Sequence, residues 1–306
     1  MAGAGTIADR DGRAALPRYE RPREEFPLDP AASGDAPCPD AEVAIAASSL
    51  SAGSQALLRG LLRVGTTRDF AGGGVGIEYG SLLKTAARPE YVAGHVAEAA
   101  AHLREQQVDL LLVPGMSGYP IGAMYAFASG IPAVLLKKAR LQGDGQATYP
   151  AGAFVIPSYT GEGDVVMHAD PAAVQDIVDG IVAPQLDAQG GVERPVLALR
   201  AAGADDIIDK ATMSRAVGES AVTIGEASIA DFVRRHRAAT GDARPIAARV
   251  EVVAWVTPLI KGYNRPHEHL LRSFGIEPFA GLNVTSVRLE PPAIGIEGIG
   301  ILFFSS

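Results

Sequence analysis

The sequence predicts an α/β protein built on a doubly wound, mainly parallel β-sheet. Three observations support this fold class. Short apolar runs such as Leu110 to Val113 are bounded by Pro or Gly and are typical of strands buried on both faces. Amphipathic stretches with helical spacing, such as Pro89 to Gln107, lie between these runs. Strands that alternate with helices indicate a parallel sheet with helices on both of its faces.

Length and charge limit the class of protein. The chain has 306 residues, 47% of them hydrophobic and 20% charged, which is enough for one large domain with a full core. Its 27 basic and 35 acidic residues give a formal net charge of -8. This balance argues against a nucleic-acid binder, whose affinity depends on clustered Lys and Arg. A small anionic substrate remains possible, since a few local cations suffice for one.

Other features of the composition concern redox state and location. The single cysteine, Cys38, excludes an intramolecular disulfide and a cysteine metal cluster. No apolar run approaches the roughly 18 residues of a membrane span, and no signal peptide is recognisable. We therefore expect a cytoplasmic protein without a membrane partner.

Along the chain, residues 1–40 are rich in Pro, Arg and acidic residues and predict a flexible N-terminal arm. Residues 41–306 are expected to form a single domain. His95 and His102 fall within the predicted helix Pro89 to Gln107. We expect both to be partly exposed helix residues and not ligands.

The strand Leu110 to Val113 leads into a glycine loop and a further helix. Gly115, Gly118 and Gly122 allow sharp turns and close approach of the backbone to a ligand. A glycine loop at a helix N-terminus directs N–H groups and the positive helix end to one spot, which favours an anion. Such units also occur without a ligand, and both interpretations stay open.

A second predicted strand, Gly130 to Lys138, ends in two lysines. Ligands bind at strand ends in open α/β sheets, so Lys137 and Lys138 are candidates to neutralise a phosphate; the alternative is a solvated strand end. Residues 140–164 are glycine-rich and polar, with an antiparallel pattern that suggests a flap over the site.

The second half of the chain continues the alternation. A helix broken near Pro184 is expected at residues 173–186. Pro195 to Arg200 has the pattern of a strand, whereas Ala201 to Ala204 is a poor one. Later segments predict helices and strands at 215–225, 228–237, 249–257, 266–274 and 282–290.

Several segments, in this order, resemble the type I phosphoribosyltransferases, especially the adenine phosphoribosyltransferase branch. Asp109 to Gly122 resembles the strand and pyrophosphate loop of that family. Gly130 to Lys138 resembles its Gly-Ile-Pro strand that ends in Arg-Lys, and Tyr159 to Asp164 its flexible-loop signature. Val250 to Val256 resembles its closing strand.

The diphosphate-sugar motif of the family has a diverged counterpart at Asp205 to Met213. The paired acids and Thr212 stand in the expected places, but Lys210 and Ala211 replace the small residue and the glycine of the phosphate loop. The pyrophosphate loop has Met116 and Ser117 in place of the usual arginine. The segment near 171–192 resembles an insertion relative to the adenine branch.

The resemblance implies transfer of a 5-phosphoribosyl group from 5-phosphoribosyl 1-diphosphate (PRPP) to a nucleobase or base-like acceptor. It further implies Mg²⁺ and a homodimer. The diphosphate would lie on the Gly115–Gly118 loop, the ribose hydroxyls on Asp205 and Asp206, and the 5-phosphate on residues 209–212. By residue, the implied catalytic groups are Glu162, Asp205 and Asp206, and the implied binding groups are Gly115, Met116, Ser117, Gly118, Lys137, Lys138, Tyr159, Asp209, Lys210, Ala211 and Thr212.

Structural alternatives accompany each assignment. Asp205 and Asp206 are also compatible with solvated acids at a helix start, where they favour the helix dipole, and Glu162 with a surface turn. His267 and His269 are spaced i and i+2 and do not share a helix face, so we expect no metal pair there. For the whole protein, the alternatives are a non-catalytic nucleotide or PRPP sensor and a ribose-phosphate enzyme with an unusual acceptor.

Overall fold

A computed structural model describes residues 16–20, 37–70, 74–84, 86–140, 149–157 and 163–305. It confirms an α/β fold with a mainly parallel central sheet. Five parallel strands lie in the order β10-β9-β7-β3-β4. Their bounds are β3 (Leu110–Pro114), β4 (Ala133–Arg140), β7 (Val196–Ala204), β9 (Ala247–Lys261) and β10 (Phe279–Arg288).

Antiparallel strands extend this sheet at both edges. One hairpin continues from β4 and another from β10, and a two-residue strand pairs with the end of β9. A further hairpin forms a separate two-stranded sheet. These elements are β1 (Thr66–Phe70), β2 (Gly74–Glu78), β5 (Phe154–Pro157), β6 (Asp164–His168), β8 (Ile207–Ile208), β11 (Ala293–Ile296) and β12 (Gly300–Phe303).

Helices cover both faces of the sheet. One face carries α1 (Ala41–Ala47), α2 (Ala52–Val64), α3 (Gly80–Leu83), α4 (Pro89–Glu105) and α5 (Tyr119–Ser129). The other carries α6 (Pro171–Ala188), α7 (Thr212–Thr240) and α8 (Pro266–Phe274). Side chains of β3 alternate between the two cores, Leu111 and Val113 in the first and Leu110 and Leu112 in the second. Among the described residues, no helix is long and apolar enough to cross a membrane.

Strand β7 continues to Ala204, with a register shift against β9 between Ala201 and Ala202, although Ala201 to Ala204 was expected to be a poor strand. The reason is the close packing of the Trp255 ring of β9 over Gly203: a Cβ there would overlap the ring. Small residues are therefore required beside a large, fully buried indole. This packing carries β7 up to the acid pair that follows it.

Two expected helix breaks are also corrected. Residues 215–225 and 228–237 form one helix, α7, because Gly225 lets it pack closely on Leu199 and Val250 of the sheet. Helix α6 continues through Pro184 to Ala188. The Gln185 side-chain amide accepts from the backbone N–H of Ala198 and donates to its carbonyl, both at 2.8 Å, which holds the end of α6 against β7.

Parts of the predicted N-terminal arm lie on the domain. Tyr19 is 2% exposed and its N–H donates to the carbonyl of Val155 at 3.0 Å, while the N–H of Val155 donates to Pro17 at 2.8 Å. Near the other edge of the sheet, the N–H of Cys38 donates to Ile301 at 2.9 Å. The described pieces of residues 1–40 are thus hydrogen-bonded to the domain, and the flexible arm as a whole stays a prediction.

His95 is fully buried, contrary to the expected partial exposure, whereas His102 keeps a partly exposed position. The Nε2 atom of His95 lies 2.7 Å from the Tyr125 hydroxyl. Burial lowers the pKa of His95 to about 4, so the ring is neutral and belongs to the core.

The predicted flap at residues 140–164 lies partly outside the described residues, in 141–148 and 158–162. Its described flanks form β5 and β6, as the antiparallel pattern predicted. The flap itself stays a prediction.

Candidate functional site

A cavity of about 660 Å³ opens at the carboxyl ends of β3 and β7. These neighbouring parallel strands lead to helices on opposite faces, β3 to α5 and β7 to α7. Such a reversal leaves a crevice beyond the strand ends where ligands bind in open α/β sheets. The cavity is therefore the candidate active site.

The glycine loop after β3 forms one wall of this cavity, to which Gly115, Met116 and Ser117 contribute. A Cβ on Gly115 would collide with Tyr119, whose hydroxyl donates to the Leu136 carbonyl at 2.6 Å. A Cβ on Gly118 would lie 2.8 Å from Oδ1 of Asp205. The two glycines therefore allow the loop to pack against both the end of β4 and the acid that follows β7.

Asp205 and Asp206 stand side by side after β7 and are only 8% and 2% exposed. Oδ1 of Asp205 accepts from the backbone N–H of Asp206 at 2.8 Å. Oδ2 of Asp206 accepts from the Tyr79 hydroxyl at 2.8 Å and lies 2.9 Å from Nζ of Lys84. The acids also precede the first residue of α7 by several positions, so the alternative of solvated acids at a helix start is wrong.

The two carboxyl groups differ in protonation. Burial, followed by the charge of Asp206, raises the pKa of Asp205 well above its ordinary value. Burial also opposes ionisation of Asp206, but Lys84 and the hydrogen bonds from Asp205 and Tyr79 outweigh it and lower the pKa of that residue. Of the pair, Asp205 therefore holds its proton more tightly and Asp206 ionises more readily, so the two carboxyl groups are suited to different hydrogen-bonding roles.

The loop between β8 and α7 forms the opposite wall, where Asp209, Lys210, Ala211 and Thr212 all line the cavity. Ala211 has φ 58° and turns the chain into α7, and no described side chain caps this helix. Backbone N–H groups of its first turn lack intrahelical partners and suit an anion.

Two side chains from other segments hold the Asp209 side chain of this loop in place. Its carboxylate lies 3.0 Å from Nζ of Lys261 and 2.6 Å from Nδ2 of Asn264. Lys261 is 1% exposed, so its pairing with Asp209 compensates two charges that would otherwise be costly to bury. Asp209 is thus a structural anchor of the loop as well as a lining residue.

The two lysines at the end of β4 point to different places, because neighbouring side chains of a strand alternate. Lys138 lines the cavity. Lys137 instead forms an exposed ion pair with Asp170, 3.1 Å between Nζ and Oδ2, and does not line the cavity. Tyr159 and Glu162 lie outside the described residues, so their roles stay predictions.

Some lining residues were not identified from the sequence. Arg68, Tyr79 and Lys84 come from the β1–β2 hairpin and the short helix after it, and Lys261 ends β9. The sequence offered one indication of Lys261, because it is a single charged residue at the end of the apolar run that begins at Val252. We identified no such indication for Tyr79 and Lys84.

The charge of the cavity differs from that of the whole chain. Among the described residues, five basic and four acidic side chains line it, whereas the chain has 27 basic and 35 acidic residues. The basic residues are Arg68, Lys84, Lys138, Lys210 and Lys261, and the acidic ones are Glu78, Asp205, Asp206 and Asp209. This local excess of positive charge favours an anionic ligand.

Magnesium fits this site only together with a ligand. Within the described part of the chain, no group of three or more His, Cys, Asp or Glu side chains is arranged to hold a metal. Mg²⁺ is commonly bound by one or two carboxylates plus phosphate oxygens of a substrate. Asp205 and Asp206 could supply the carboxylates of such a shared site.

No family model and no curated protein sequence matches this chain. Among solved structures, adenine phosphoribosyltransferases are similar in fold at low identity. The enzyme from Thermoanaerobacter pseudethanolicus is 13% identical, with TM-score 0.43 over 73% of this chain and 97% of that chain. The Giardia lamblia enzyme complexed with 9-deazaadenine is 12% identical, with TM-score 0.44 over 76% and 97%. The Saccharomyces cerevisiae enzyme is 12% identical, with TM-score 0.45 over 75% and 98%.

Proposed function

We propose that the cavity binds PRPP and that the protein transfers its 5-phosphoribosyl group to a nucleobase or base-like acceptor, releasing diphosphate. One observation carries the proposal. The buried acid pair Asp205–Asp206 lies between the Gly115–Gly118 loop and the start of α7, which has no side-chain cap, and all three line one cavity. PRPP has its groups in the same order, because its ribose lies between a diphosphate and a 5-phosphate.

Each part of the donor has a proposed partner. The diphosphate lies on the Gly115–Gly118 loop beside Lys138, where backbone N–H groups and one cation offset its charge. The ribose hydroxyls bond to the acid pair, donating to Asp206 and accepting from Asp205. The 5-phosphate lies on residues 209–212 at the start of α7, with Lys210 as a point charge.

The reaction consists of one substitution at C1 of the ribose. The C1–O bond breaks and its electron pair leaves with the diphosphate, while a ring nitrogen of the acceptor forms the new C1–N bond and loses its proton. The chain's own residues bind and orient the donor and stabilise the negative charge that grows on the leaving group. Glu162 and Tyr159 are proposed to act on the acceptor, with Glu162 as the acid or base.

Asp205 or Asp206 would hold a magnesium ion together with the donor. When bound, this ion would supply positive charge to the leaving group. The loop residues Met116 and Ser117 carry no charge of their own, which makes a cation from elsewhere necessary.

A second candidate is a non-catalytic sensor that binds a ribose phosphate without turnover. The observation that favours it is the acidic Asp209 in the loop proposed for the phosphate, together with the uncharged Met116 and Ser117. A transferase with an unusual acceptor is compatible with the same site.

Diphosphate release tests the proposal. The protein is incubated with PRPP, Mg²⁺ and a panel of purine, pyrimidine and pyridine bases, and diphosphate and nucleotide are both quantified. We expect release with at least one base and loss of turnover in the double variant Asp205→Asn, Asp206→Asn. The matched control is Lys137→Met, a surface change that should keep full activity. Ribose-phosphate binding without release for any base would instead favour the sensor.

A further inference from the structure

We propose that Lys84 is the mobile cation of the Gly115–Gly118 loop: it pairs with Asp206 and moves to the diphosphate when that anion binds. This inference rests on the proposed function, since it assigns a residue to the diphosphate subsite. It also explains how a loop without a charge of its own can hold a strong anion.

The position of Lys84 beside the loop follows from three contacts. Gly118 packs directly on Oδ1 of Asp205. Asp205 is adjacent to Asp206 and accepts from its N–H at 2.8 Å. Lys84 then pairs with Asp206 at 2.9 Å. The ammonium thus lies next to the acid pair that contacts the loop, and its side chain also lines the cavity.

Other basic residues of the cavity are engaged differently. Lys261 is buried and paired with Asp209. Arg68 faces Glu78 at 3.6 Å on the β1–β2 hairpin. Lys138 belongs to the end of β4 and is the second cation proposed for the diphosphate. Lys84 differs from Lys261 because its side chain is partly exposed, and from Arg68 because its partner is a residue proposed to bind the donor.

Lys84 is able to leave its partner. Its side chain is 36% exposed and follows the four-residue helix α3, whereas the Asp206 side chain is 3% exposed. Asp206 keeps the Tyr79 hydroxyl, at 2.8 Å, after Lys84 has moved. A flexible lysine stem allows the ammonium to reach a second anion without displacement of the backbone.

The movement of Lys84 from Asp206 to the diphosphate couples binding of the diphosphate to binding of the ribose. When Lys84 moves to the diphosphate, the buried Asp206 carboxylate loses a charge-assisted partner, which is unfavourable unless a new donor replaces it. A ribose hydroxyl of the same ligand supplies that donor. Bare diphosphate lacks this hydroxyl, so it competes with Asp206 for Lys84 and binds more weakly than PRPP.

This competition predicts that removal of Lys84 weakens diphosphate binding and that removal of the Asp206 charge strengthens it. A double-mutant cycle measures whether the two effects depend on each other. Inorganic diphosphate is titrated by calorimetry, in buffer without Mg²⁺, into wild type, Lys84→Met, Asp206→Asn and the double variant. Lys84→Met should weaken binding by about 10-fold, because it removes a cation from the anion subsite. Asp206→Asn should strengthen it about 5-fold, the lower end of typical coupling between sites, because Lys84 is released.

The double variant should bind as weakly as Lys84→Met alone, with no gain from the asparagine. Lys84→Arg should restore most of the affinity, and Lys137→Met should match wild type. Circular dichroism of each variant verifies the fold.

Two outcomes overturn the role of Lys84 alone: unchanged diphosphate affinity in Lys84→Met, or a gain from Asp206→Asn that persists without Lys84. If the double variant does not fold, the single variants and Lys84→Arg still decide. Absence of diphosphate binding by the wild-type protein would overturn both this inference and the proposed diphosphate site.

Discussion

The Tyr79 hydroxyl donates to the Asp206 carboxylate at 2.8 Å, and both side chains are buried although they are 127 residues apart in the chain. This bond attaches the segment between β2 and α3 to the end of β7. Removal of the hydroxyl in Tyr79→Phe leaves a buried carboxylate with one partner fewer. We expect a loss of about 1–3 kcal/mol in the free energy of unfolding at pH 7, measured by urea denaturation.

The loss of stability in Tyr79→Phe should depend on pH in a direction that the pKa of Asp206 determines. The pKa of Asp206 in the folded protein is below its ordinary value of 3.8, so the stabilisation from its partners is present above that value and is lost as pH falls through the folded pKa. The difference in unfolding free energy between wild type and Tyr79→Phe should therefore be present at pH 7 and shrink as the pH is lowered below 3.8. A difference that grows with acidification would contradict an ionised Asp206.

Asp205 predicts the opposite pH dependence. Its folded pKa is raised above 3.8 by burial and by Asp206, so the folded state binds more protons than the unfolded one, and stability falls as pH rises from about 3.8 to the folded pKa. Asp205→Asn removes this proton and its cost. Relative to wild type, the variant should gain stability between pH 5 and pH 8 while losing turnover. Equal stability differences at both pH values would mean that Asp205 is ionised throughout.

Substitution of Gly203 tests whether its close packing on Trp255 stabilises β7, the strand that leads to the site. Gly203→Ala places a methyl group where the indole ring lies, and such overpacking typically costs about 1–3 kcal/mol. The matched control is Gly180→Ala in α6, where no atom lies within 4 Å of the added Cβ. There, the better helix propensity of Ala should raise stability by up to about 1 kcal/mol. In thermal unfolding, the melting temperature should fall for Gly203→Ala and rise for Gly180→Ala.

The local parts of the site were predictable from the sequence. A buried strand, a glycine loop and a helix follow one another from Leu110 to Ser129, and their order alone places the loop at a helix N-terminus. The acid pair and the loop at 209–212 were located through their resemblance to the diphosphate-sugar motif of the phosphoribosyltransferases. All these features are continuous in sequence, which is why a local pattern or motif suffices to find them.

The partners of the acid pair were not predictable, because they come from distant segments. Tyr79 is 127 residues from Asp206, and Lys261 is 52 residues from Asp209. The pKa values of the two buried carboxyl groups differ because Asp206 has Lys84 and Tyr79 as partners, and these contacts depend on the packing of whole elements. The same reason explains β7, where Ala201 to Ala204 forms a strand because of Trp255, a residue of another strand.

Gly118 provides a test of the contact between the loop and the acid pair. In Gly118→Ala, the new Cβ would lie 2.8 Å from both Oδ1 of Asp205 and the Pro114 carbonyl, so the loop must shift. A displacement of about 1 Å at a reacting group can cost 100-fold in rate. We expect kcat/KM for PRPP to fall by at least about 10-fold with the fold retained, as shown by circular dichroism. Wild-type kinetics in this variant would mean that the loop is not part of the donor site.

Calorimetric titration of PRPP, with Mg²⁺, into wild type and two single-lysine variants tests the proposed donor site most directly. Lys138 lines the cavity, whereas its neighbour Lys137 pairs with Asp170 outside it, so the variants differ in position but not in chemistry. We expect wild type and Lys137→Met to bind PRPP equally and Lys138→Met to bind at least about 5-fold more weakly, as for one charge-assisted contact. Equal affinities in all three proteins, or no binding of PRPP by wild type, would contradict a donor site in this cavity.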